Sequence, residues 1–269
     1  MIDVRRVQTA TGLEFEVACC GDMENPIVML HGYGDSWYSF NGMLEALPDD
    51  KSAVAITQRG HGNSVKPEED YSTQQYARDA IGVLDALGIS QAPIVGHSMG
   101  TFIAQEIALT APSRVTHLIL IASAVTADND VVAGLAEEVA KLGDPVPRAF
   151  VHEFQAGTCA NPLGPGMALD HIVDESMLLP ARVWRDALQG LLAYRPRDVD
   201  PDLSSIDCPT LILWGDEDGL FLEAEQTRLN QKITGSELMI YEGVGHGLQW
   251  EAPVEAMIDT LSFIARRGA

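Results

Sequence analysis

The feature that most constrains how this chain can fold is a serine with a glycine two positions before it and another two positions after it. The motif lies between an apolar run and a helical run. Residues 96–100 read Gly-His-Ser-Met-Gly, a G-x-S-x-G pattern, after the apolar residues 92–95 and before a helical pattern over 101–109. A serine on a sharp strand-to-helix turn has strained dihedral angles and projects its hydroxyl above the sheet. The pattern therefore predicts Ser98 as a nucleophile, and the alternative is a structural turn with a surface serine.

The composition limits the partners that this chain can have. Its 269 residues are enough for one large α/β domain or two small ones. The 17 basic and 39 acidic residues give a net charge of −22. Such a field repels the phosphates of nucleic acids and anionic membranes, so we expect neither as a partner. The expected partner is a small-molecule substrate, and the sequence leaves the oligomeric state open.

Cysteine usage and hydropathy favour a cytoplasmic location. No apolar stretch approaches 18 residues, and no signal core follows Arg5 and Arg6. The adjacent Cys19 and Cys20 lie on a predicted strand, where their side chains point to opposite faces and cannot easily bridge. We therefore expect four reduced thiols in a cytoplasmic protein.

No metal or cofactor is expected. The histidines are dispersed, and neither H-E-x-x-H nor C-x-x-C occurs. The glycine-rich loops lack both G-x-G-x-x-G and the lysine of a phosphate-binding loop, so we expect no nucleotide.

The order of predicted elements favours an α/β fold with a mostly parallel sheet. Apolar runs that predict strands alternate with amphipathic runs that predict helices. The predicted strands cover 13–20, 26–30, 52–57, 92–97, 115–122, 210–214 and 238–241, and the predicted helices 37–47, 72–87, 101–109 and 253–266. Ser72 and Gln75 predict a capping box at the start of the second helix.

The alternation stops between residues 125 and 206. This span has helical patterns over 130–142 and 179–192, a Pro/Gly cluster over 161–166, and no evident buried strand. We interpret it as a helical cap over the carboxyl edge of the sheet. The predicted organisation is a core of residues 1–124 and 207–269 with a cap of residues 125–206.

A nucleophilic serine needs a base, and His246 is the best candidate among seven histidines. Four of the others lie in early glycine-rich loops, in a strand pattern or next to the serine, and His152 and His171 lie in the insertion. His246 follows the last predicted strand, and parallel strands all end at the same edge of a sheet. The alternative is a solvent-exposed loop histidine.

The acid that orients the base should come from another loop at that edge. Asp216, Glu217 and Asp218 follow the predicted strand 210–214, and the expected chain order is serine, acid, histidine. We favour Asp218 over Asp216, with Asp128 as a third candidate, although periodicity alone does not separate them.

These motifs resemble the α/β-hydrolase superfamily over nearly the whole chain, most closely a serine carboxylesterase with a helical cap. The W-G-x-x-D pattern of that family ends here at Asp218, and its G-x-G-H pattern ends at His246. The H-G pattern of the family matches His31 and Gly32. The resemblance implies that the backbone N–H groups of Tyr33 and Met99 form an oxyanion hole.

The resemblance also indicates the reaction. Haloalkane dehalogenases and epoxide hydrolases of this superfamily have aspartate in place of Ser98, whereas a serine implies an acyl-enzyme. We therefore expect a hydrolase of carboxylic esters or related acyl substrates of hydrophobic character and small to medium size. Lactonase, acyltransferase, C–C bond hydrolase and cofactor-free perhydrolase activities remain open on the same triad, and the non-enzyme alternative is a small-molecule receptor with a slow triad.

The residues expected to bind the substrate are aromatic or apolar and lie near the motifs or in the cap. We selected them because small-molecule pockets are mostly apolar. They are Trp37, Phe154, Trp184 and Leu248.

Overall fold

The computed structural model describes residues 1–195 and 202–267. Two predictions extend beyond them: residues 196–201 of the predicted cap and residues 268–269 of the predicted core lie outside the described residues.

The described part is built on one eight-stranded sheet with the strand order β1-β2-β4-β3-β5-β6-β7-β8. The two pairs that involve β2 are antiparallel, and the other pairs are parallel. The strands are β1 Asp3–Gln8, β2 Glu14–Cys20, β3 Ile27–Leu30, β4 Ala53–Ile56, β5 Ala92–His97, β6 Val115–Ile121, β7 Thr210–Gly215 and β8 Glu237–Tyr241.

Helices lie between most of the strands. The helices are α1 Asn41–Glu45, α2 Thr73–Ala86, α3 Met99–Thr110, α4 Asp130–Val139, α5 Arg148–Ala156, α6 Leu169–Ser176, α7 Ala181–Ala193, α8 Glu223–Lys232, α9 Leu248–Glu251 and α10 Pro253–Arg267. Short 3-10 helices cover Trp37–Phe40, Pro112–Arg114 and Asp202–Ser205.

The central strands are buried on both faces. β3 and β4 are fully buried, and alternate residues of β6 belong to two separate apolar cores, one on each side of the sheet. Continuous apolar strands are typical of a parallel sheet that helices cover on both sides. The predicted α/β fold is therefore confirmed.

The amino-terminal strands depart from the expected parallel pairing. β1 is an edge strand that the sequence analysis did not predict, and it pairs with β2 in antiparallel register from Asp3 opposite Cys19 to Gln8 opposite Glu14. Among its six residues only Val7 is buried. A strand that contributes a single side chain to the core leaves little apolar signal in the sequence.

Two local predictions need correction. The predicted helix over 37–47 is a 3-10 turn followed by the short α1. At the start of α2, the Ser72 hydroxyl accepts the Gln75 amide N–H at 3.2 Å, but the Gln75 side chain donates to Asp79 instead of reaching back. Asp70 accepts the Ser72 amide N–H, so half of the predicted capping box is replaced by another side chain.

The chain between β6 and β7 contains α4 to α7. The predicted helical patterns over 130–142 and 179–192 correspond to α4 and α7, whereas α5 and α6 were not predicted as helices. The Arg182 guanidinium donates to the backbone oxygens of Lys66 and Pro67, which attaches α7 to the loop after β4. The division into core and cap at residues 124 and 206 stays a prediction.

Candidate active site

Ser98 lies on a strained turn between β5 and α3. Its backbone has φ 49° and ψ −118°, outside the regions that residues with a side chain usually adopt. Its amide donates to the Ile121 carbonyl at 3.0 Å. A Cβ atom at Gly96 would lie 2.4 Å from the Gly100 oxygen, and one at Gly100 would lie 2.0 Å from the Leu30 oxygen. The turn therefore requires glycine at both positions.

His246 and Asp218 form a buried pair at the same edge of the sheet. The Nδ1 atom of His246 and the Oδ2 atom of Asp218 are 2.9 Å apart. The other Asp218 oxygen accepts the amides of Leu220 and Phe221 at 2.8 and 3.0 Å. The Asp218 side chain has no exposed surface.

The surroundings of Asp218 stabilise its charged form. Burial by itself would raise the pKa of this carboxyl group, but the charge and hydrogen bond of His246, together with the two amides, lower it further than burial raises it. The pKa of Asp218 therefore lies below its usual range, as an acid that stays ionised beside an imidazole requires.

The two rival acids lie elsewhere. Asp216 is exposed, and its Oδ1 accepts the Gly243 amide. Asp128 is exposed and pairs with Arg195 at 2.6 Å. Neither carboxylate is hydrogen-bonded to His246, so the structure distinguishes the three acids that the sequence left open.

Ser98 and His246 line the same pocket. The Ser98 hydroxyl is hydrogen-bonded to none of the described residues, including His246. The backbone of His246 is held by a hydrogen bond with His97, since the Nε2 atom of His97 and the His246 carbonyl oxygen are 3.1 Å apart. In unliganded sites the hydrogen bond between nucleophile and base is often long or badly aligned and tightens when the substrate binds.

The two backbone N–H groups expected to form the oxyanion hole have no hydrogen-bond partner among the described residues. They belong to Met99, at the start of α3, and to Tyr33, in the loop after β3. Free N–H groups beside a nucleophile are able to bind the oxygen that becomes negatively charged in acyl transfer. The helix dipole adds positive potential at Met99.

The Tyr33 loop is held by two buried histidines that the sequence analysis had set aside as candidates for the base. The His31 Nε2 accepts the Gln58 amide N–H at 2.9 Å, and the His61 Nε2 accepts the Gly34 amide N–H at 3.3 Å. Their Nδ1 atoms lie 2.8 Å from the carbonyl oxygens of Gly32 and Arg59 respectively. In each neutral imidazole, Nε2 thus accepts a hydrogen bond and Nδ1–H donates one.

Burial keeps both of these imidazoles neutral. It lowers the pKa of His61 to about 4, and it lowers the pKa of His31 well below its usual value. In a protonated ring both nitrogens are donors, so Nε2 could no longer accept the backbone N–H. The hydrogen bonds that hold the loop therefore require the neutral form of each ring.

The pocket above Ser98 is small and mostly apolar. Its volume is about 40 Å³, which holds about three water molecules. Helices α4, α5 and α7 cover it, and the Asp218 loop and α9 complete it. The lining consists of Tyr33, Asp35, His97, Ser98, Val132, Leu135, Phe154, Gln155, Thr158, Leu188, Leu191, Leu220, Phe221, His246 and Trp250.

Only one of the four predicted substrate-binding residues, Phe154, belongs to this lining. Trp184 is fully buried behind the pocket wall, where its ring meets those of Tyr33 and Phe154 edge to face. Trp37 packs beside Tyr38, with ring centroids 5.7 Å apart. Leu248 is buried in the core on the other face of the sheet.

Local geometry explains the corrections near His246. Leu248 and Trp250 are two residues apart on α9, so their side chains point to nearly opposite sides of the helix. Leu248 therefore enters the core, while Trp250 reaches the pocket and donates from its indole to the Ser39 hydroxyl at 2.9 Å. The spacing within the 248–251 helix is the signal that could have separated the two.

The described residues contain no group of three or more His, Cys, Asp or Glu side chains placed to hold a metal ion. Within residues 1–195 and 202–267, no helix combines the length and the apolar character needed to cross a bilayer.

Comparison with known proteins establishes the family. The model of the alpha/beta hydrolase fold matches residues 25–253. This chain belongs to the α/β-hydrolase family. The solved structure of an esterase from Exiguobacterium antarcticum has the same fold as this hydrolase, with a TM-score of 0.84 and 23% identity over 97% of this chain and 98% of that chain.

Two curated relatives of this α/β-hydrolase carry named activities. A 2-hydroxy-6-oxononadienedioate/2-hydroxy-6-oxononatrienedioate hydrolase from Klebsiella pneumoniae is 29% identical over 94% of this chain and 92% of its own length. A non-heme chloroperoxidase from Streptomyces lividans is 27% identical over 89% of this chain and 91% of its own length.

Proposed function

We propose that this α/β-hydrolase is a serine esterase that cleaves carboxylic esters with a small apolar acyl group through an acyl-enzyme. The observation that carries the proposal is the buried Asp218–His246 pair, whose histidine lines one pocket with a serine on a strained turn. Nucleophile, base and orienting acid together are the elements of acyl transfer.

The first half of the reaction transfers the acyl group to the enzyme. The Ser98 oxygen attacks the ester carbonyl while the Nε2 atom of His246 takes the hydroxyl proton. The amides of Tyr33 and Met99 donate to the oxygen that becomes negative, and Asp218 stabilises the imidazolium. The intermediate then collapses, the ester bond breaks, and His246 gives its proton to the departing alcohol.

The second half releases the acid. Water enters after the alcohol leaves, and His246 removes a proton from it as its oxygen attacks the acyl carbonyl. The same two amides bind the new oxyanion. Collapse breaks the bond to the Ser98 oxygen, which recovers its proton from His246, and the carboxylic acid departs.

The size of the pocket supports a short acyl group. Space for about three water molecules admits a chain of a few carbon atoms when the cap lies as in this structure. Apolar side chains such as Leu188 and Phe221 form most of the wall. We therefore expect acetyl to butyryl esters to be better substrates than esters of long fatty acids.

The relatives suggest a C–C bond hydrolase as a second candidate, because the Klebsiella relative is matched over nearly its full length. Its named substrates are dioates, which carry two carboxylates. The pocket lining described here contains no lysine or arginine to pair with a second carboxylate. Ester cleavage is the better supported of the two.

The remaining parts of the proposal concern the surroundings of the enzyme. We propose that it acts in the cytoplasm on a small-molecule substrate without a cofactor, and binds neither nucleic acid nor membranes. The net charge of −22 supports the exclusion of both polyanionic partners.

The test is hydrolysis of p-nitrophenyl esters by the purified protein and its Ser98→Ala variant. We expect the butyrate to be turned over many times per enzyme and the variant to lose at least about 10³-fold in kcat, because it lacks the nucleophile. Circular dichroism should show that the variant is folded.

Equal turnover by the two proteins would refute the serine mechanism. Turnover that stops after about one acyl group per protein would favour the receptor alternative. A laurate ester cleaved better than the butyrate would refute the proposed substrate size.

A further inference from the structure

The pocket beside Ser98 contains a buried carboxylate that the proposed reaction does not use. Asp35 lies two residues after Tyr33 in the loop after β3, is 3% exposed, and lines the pocket. Its Oδ1 accepts the Gln155 amide group at 3.1 Å, and its Oδ2 accepts the Ser39 hydroxyl at 3.2 Å. Both neighbours donate, as an ionised carboxylate requires.

No lysine or arginine among the described residues forms an ion pair with Asp35. Among the residues that line the pocket there is neither lysine nor arginine. The described residues place one histidine within ion-pairing distance of it: the Nδ1 atom of His97 lies 3.8 Å from the Asp35 Oδ2. The other lining histidine, His246, is paired with Asp218.

His97 is oriented so that it does not neutralise Asp35. Its Nε2 faces the His246 carbonyl oxygen, which can only accept, so Nε2 carries the ring proton. The Nδ1 atom that faces Asp35 is then a lone pair and makes no hydrogen bond. Burial lowers the pKa of His97 further than the neighbouring Asp35 raises it, which favours this neutral form.

A buried carboxylate without a cationic partner in a mostly apolar pocket is costly to the fold. Buried ionisable groups of this kind are concentrated at functional sites, where the charge acts on the ligand. A ligand carboxylate about 6 Å from a buried carboxylate, at an effective dielectric constant of about 20, is repelled strongly enough to weaken binding of the ligand more than tenfold.

We propose that Asp35 determines the charge specificity of the esterase: the pocket accepts uncharged acyl groups and rejects those that carry a second carboxylate. This inference rests on the proposed ester hydrolysis and adds the substrate class to it.

The experiment compares two ethyl esters of nearly equal shape, ethyl levulinate and monoethyl succinate. They differ in that a methyl ketone in the first replaces a carboxylate in the second. Ethanol release gives kcat/KM for both esters with the native enzyme, Asp35→Asn and Glu153→Gln. The asparagine of the first variant keeps an oxygen for Gln155 and removes the charge, while Glu153 is exposed on the same helix α5 as Gln155 and supplies a control of equal charge change.

We expect the native enzyme to prefer ethyl levulinate by at least tenfold. Asp35→Asn should reduce this preference by about tenfold, and Glu153→Gln should leave it unchanged. All assays are repeated in 1 M NaCl, where screening over about 3 Å removes the repulsion from the exposed acidic surface but not that from a buried neighbour. The preference of the native enzyme should therefore persist in salt.

The outcomes separate the two proposals. Hydrolysis of ethyl levulinate that depends on Ser98 supports the ester hydrolase whatever the preference. If Asp35→Asn keeps the native preference, or if salt abolishes that preference, the role of Asp35 is refuted while the esterase stands. If no ester is hydrolysed, both are refuted.

A second variant covers the case in which Asp35→Asn does not fold. Leu135 is half-buried on α4 and lines the pocket, so Leu135→Lys places an ammonium group in the wall while Asp35 stays intact. We expect it to reduce the preference for ethyl levulinate over monoethyl succinate, and an unchanged preference would contradict the inference.

Discussion

At the scale of single residues, two aspartates only two positions apart have different environments. Asp218 is buried and accepts hydrogen bonds from the His246 ring and two backbone amides. Asp216 is exposed and accepts a hydrogen bond from one amide of the neighbouring loop. A carboxylate stabilises an imidazolium strongly only where water does not screen it. The difference in burial therefore separates the proposed orienting acid from its neighbour.

Replacing Asp218 by Asn tests this assignment. The amide keeps the shape but cannot accept from the imidazole as a charged oxygen does, so the histidine adopts the wrong tautomer. We expect kcat to fall about 10³- to 10⁴-fold, measured with p-nitrophenyl butyrate. Asp216→Asn is the matched control and should stay within a few fold of the native enzyme; the reverse order would exchange the roles of the two acids.

At the scale of elements, the turn from β5 into α3 is the most tightly constrained connection. The backbone of Gly100 approaches the Leu30 carbonyl of β3, and that of Gly96 approaches Gly100 itself. The strained Ser98 conformation persists because the two neighbouring strands and α3 fix both ends of the turn.

Gly100→Ala tests how tightly the turn from β5 into α3 is packed. Its methyl group would overlap the Leu30 oxygen, so we expect the free energy of unfolding to fall by at least about 2 kcal/mol. Gly134→Ala in α4 is the control, because nothing lies within 4 Å of its added Cβ atom. That variant should gain about 0.5–1 kcal/mol from its higher helix propensity. Urea unfolding measures both, and equal stability of the two variants would contradict the packing argument.

At the scale of the whole molecule, the active-site edge is stabilised by neutral buried histidines. His31 and His61 hold the Tyr33 loop, and His97, at the end of β5, connects the Ser98 turn to the His246 loop. Burial lowers the pKa of all three. The assembly of the site is thus linked to the protonation state of its supports.

This linkage predicts a loss of stability in acid. Between the unfolded pKa near 6.5 and the folded pKa of His61 at about 4, the unfolded chain binds a proton that the folded protein does not. The free energy of unfolding therefore falls as the pH decreases through this range, by roughly 1 kcal/mol per pH unit for His61. Urea unfolding at pH values from 5 to 6 measures the slope.

His61→Gln serves as the comparison. The variant lacks one titrating group, so the slope of its unfolding free energy against pH should decrease by the amount that corresponds to about one bound proton. This holds even if the variant is less stable at every pH. Identical slopes for the two proteins would contradict the assignment of a depressed pKa to His61.

The sequence by itself determined the parts of this protein that local pattern encodes. Ser98 was predicted because its turn needs glycine at fixed spacing, and the central strands were predicted correctly because burial on both faces requires continuous apolar runs. His246 and Asp218 were selected by their positions after strands that end at a common edge. β1, α5, α6, α8 and α9 were missed: β1 and α8 bury few residues, and α5, α6 and α9 are shorter than the window of about 11–18 residues over which helical periodicity is recognised.

Only the tertiary structure decided which side chains form the pocket. Asp35, Gln155 and Trp250 come from three distant segments, and the direction of each depends on the packing of its neighbours. Trp184 and Leu248 match the composition expected of a pocket, yet both are buried elsewhere. A sequence pattern predicts whether a residue is buried. It does not predict which residues pack against it, because those contacts join segments that are far apart in the chain.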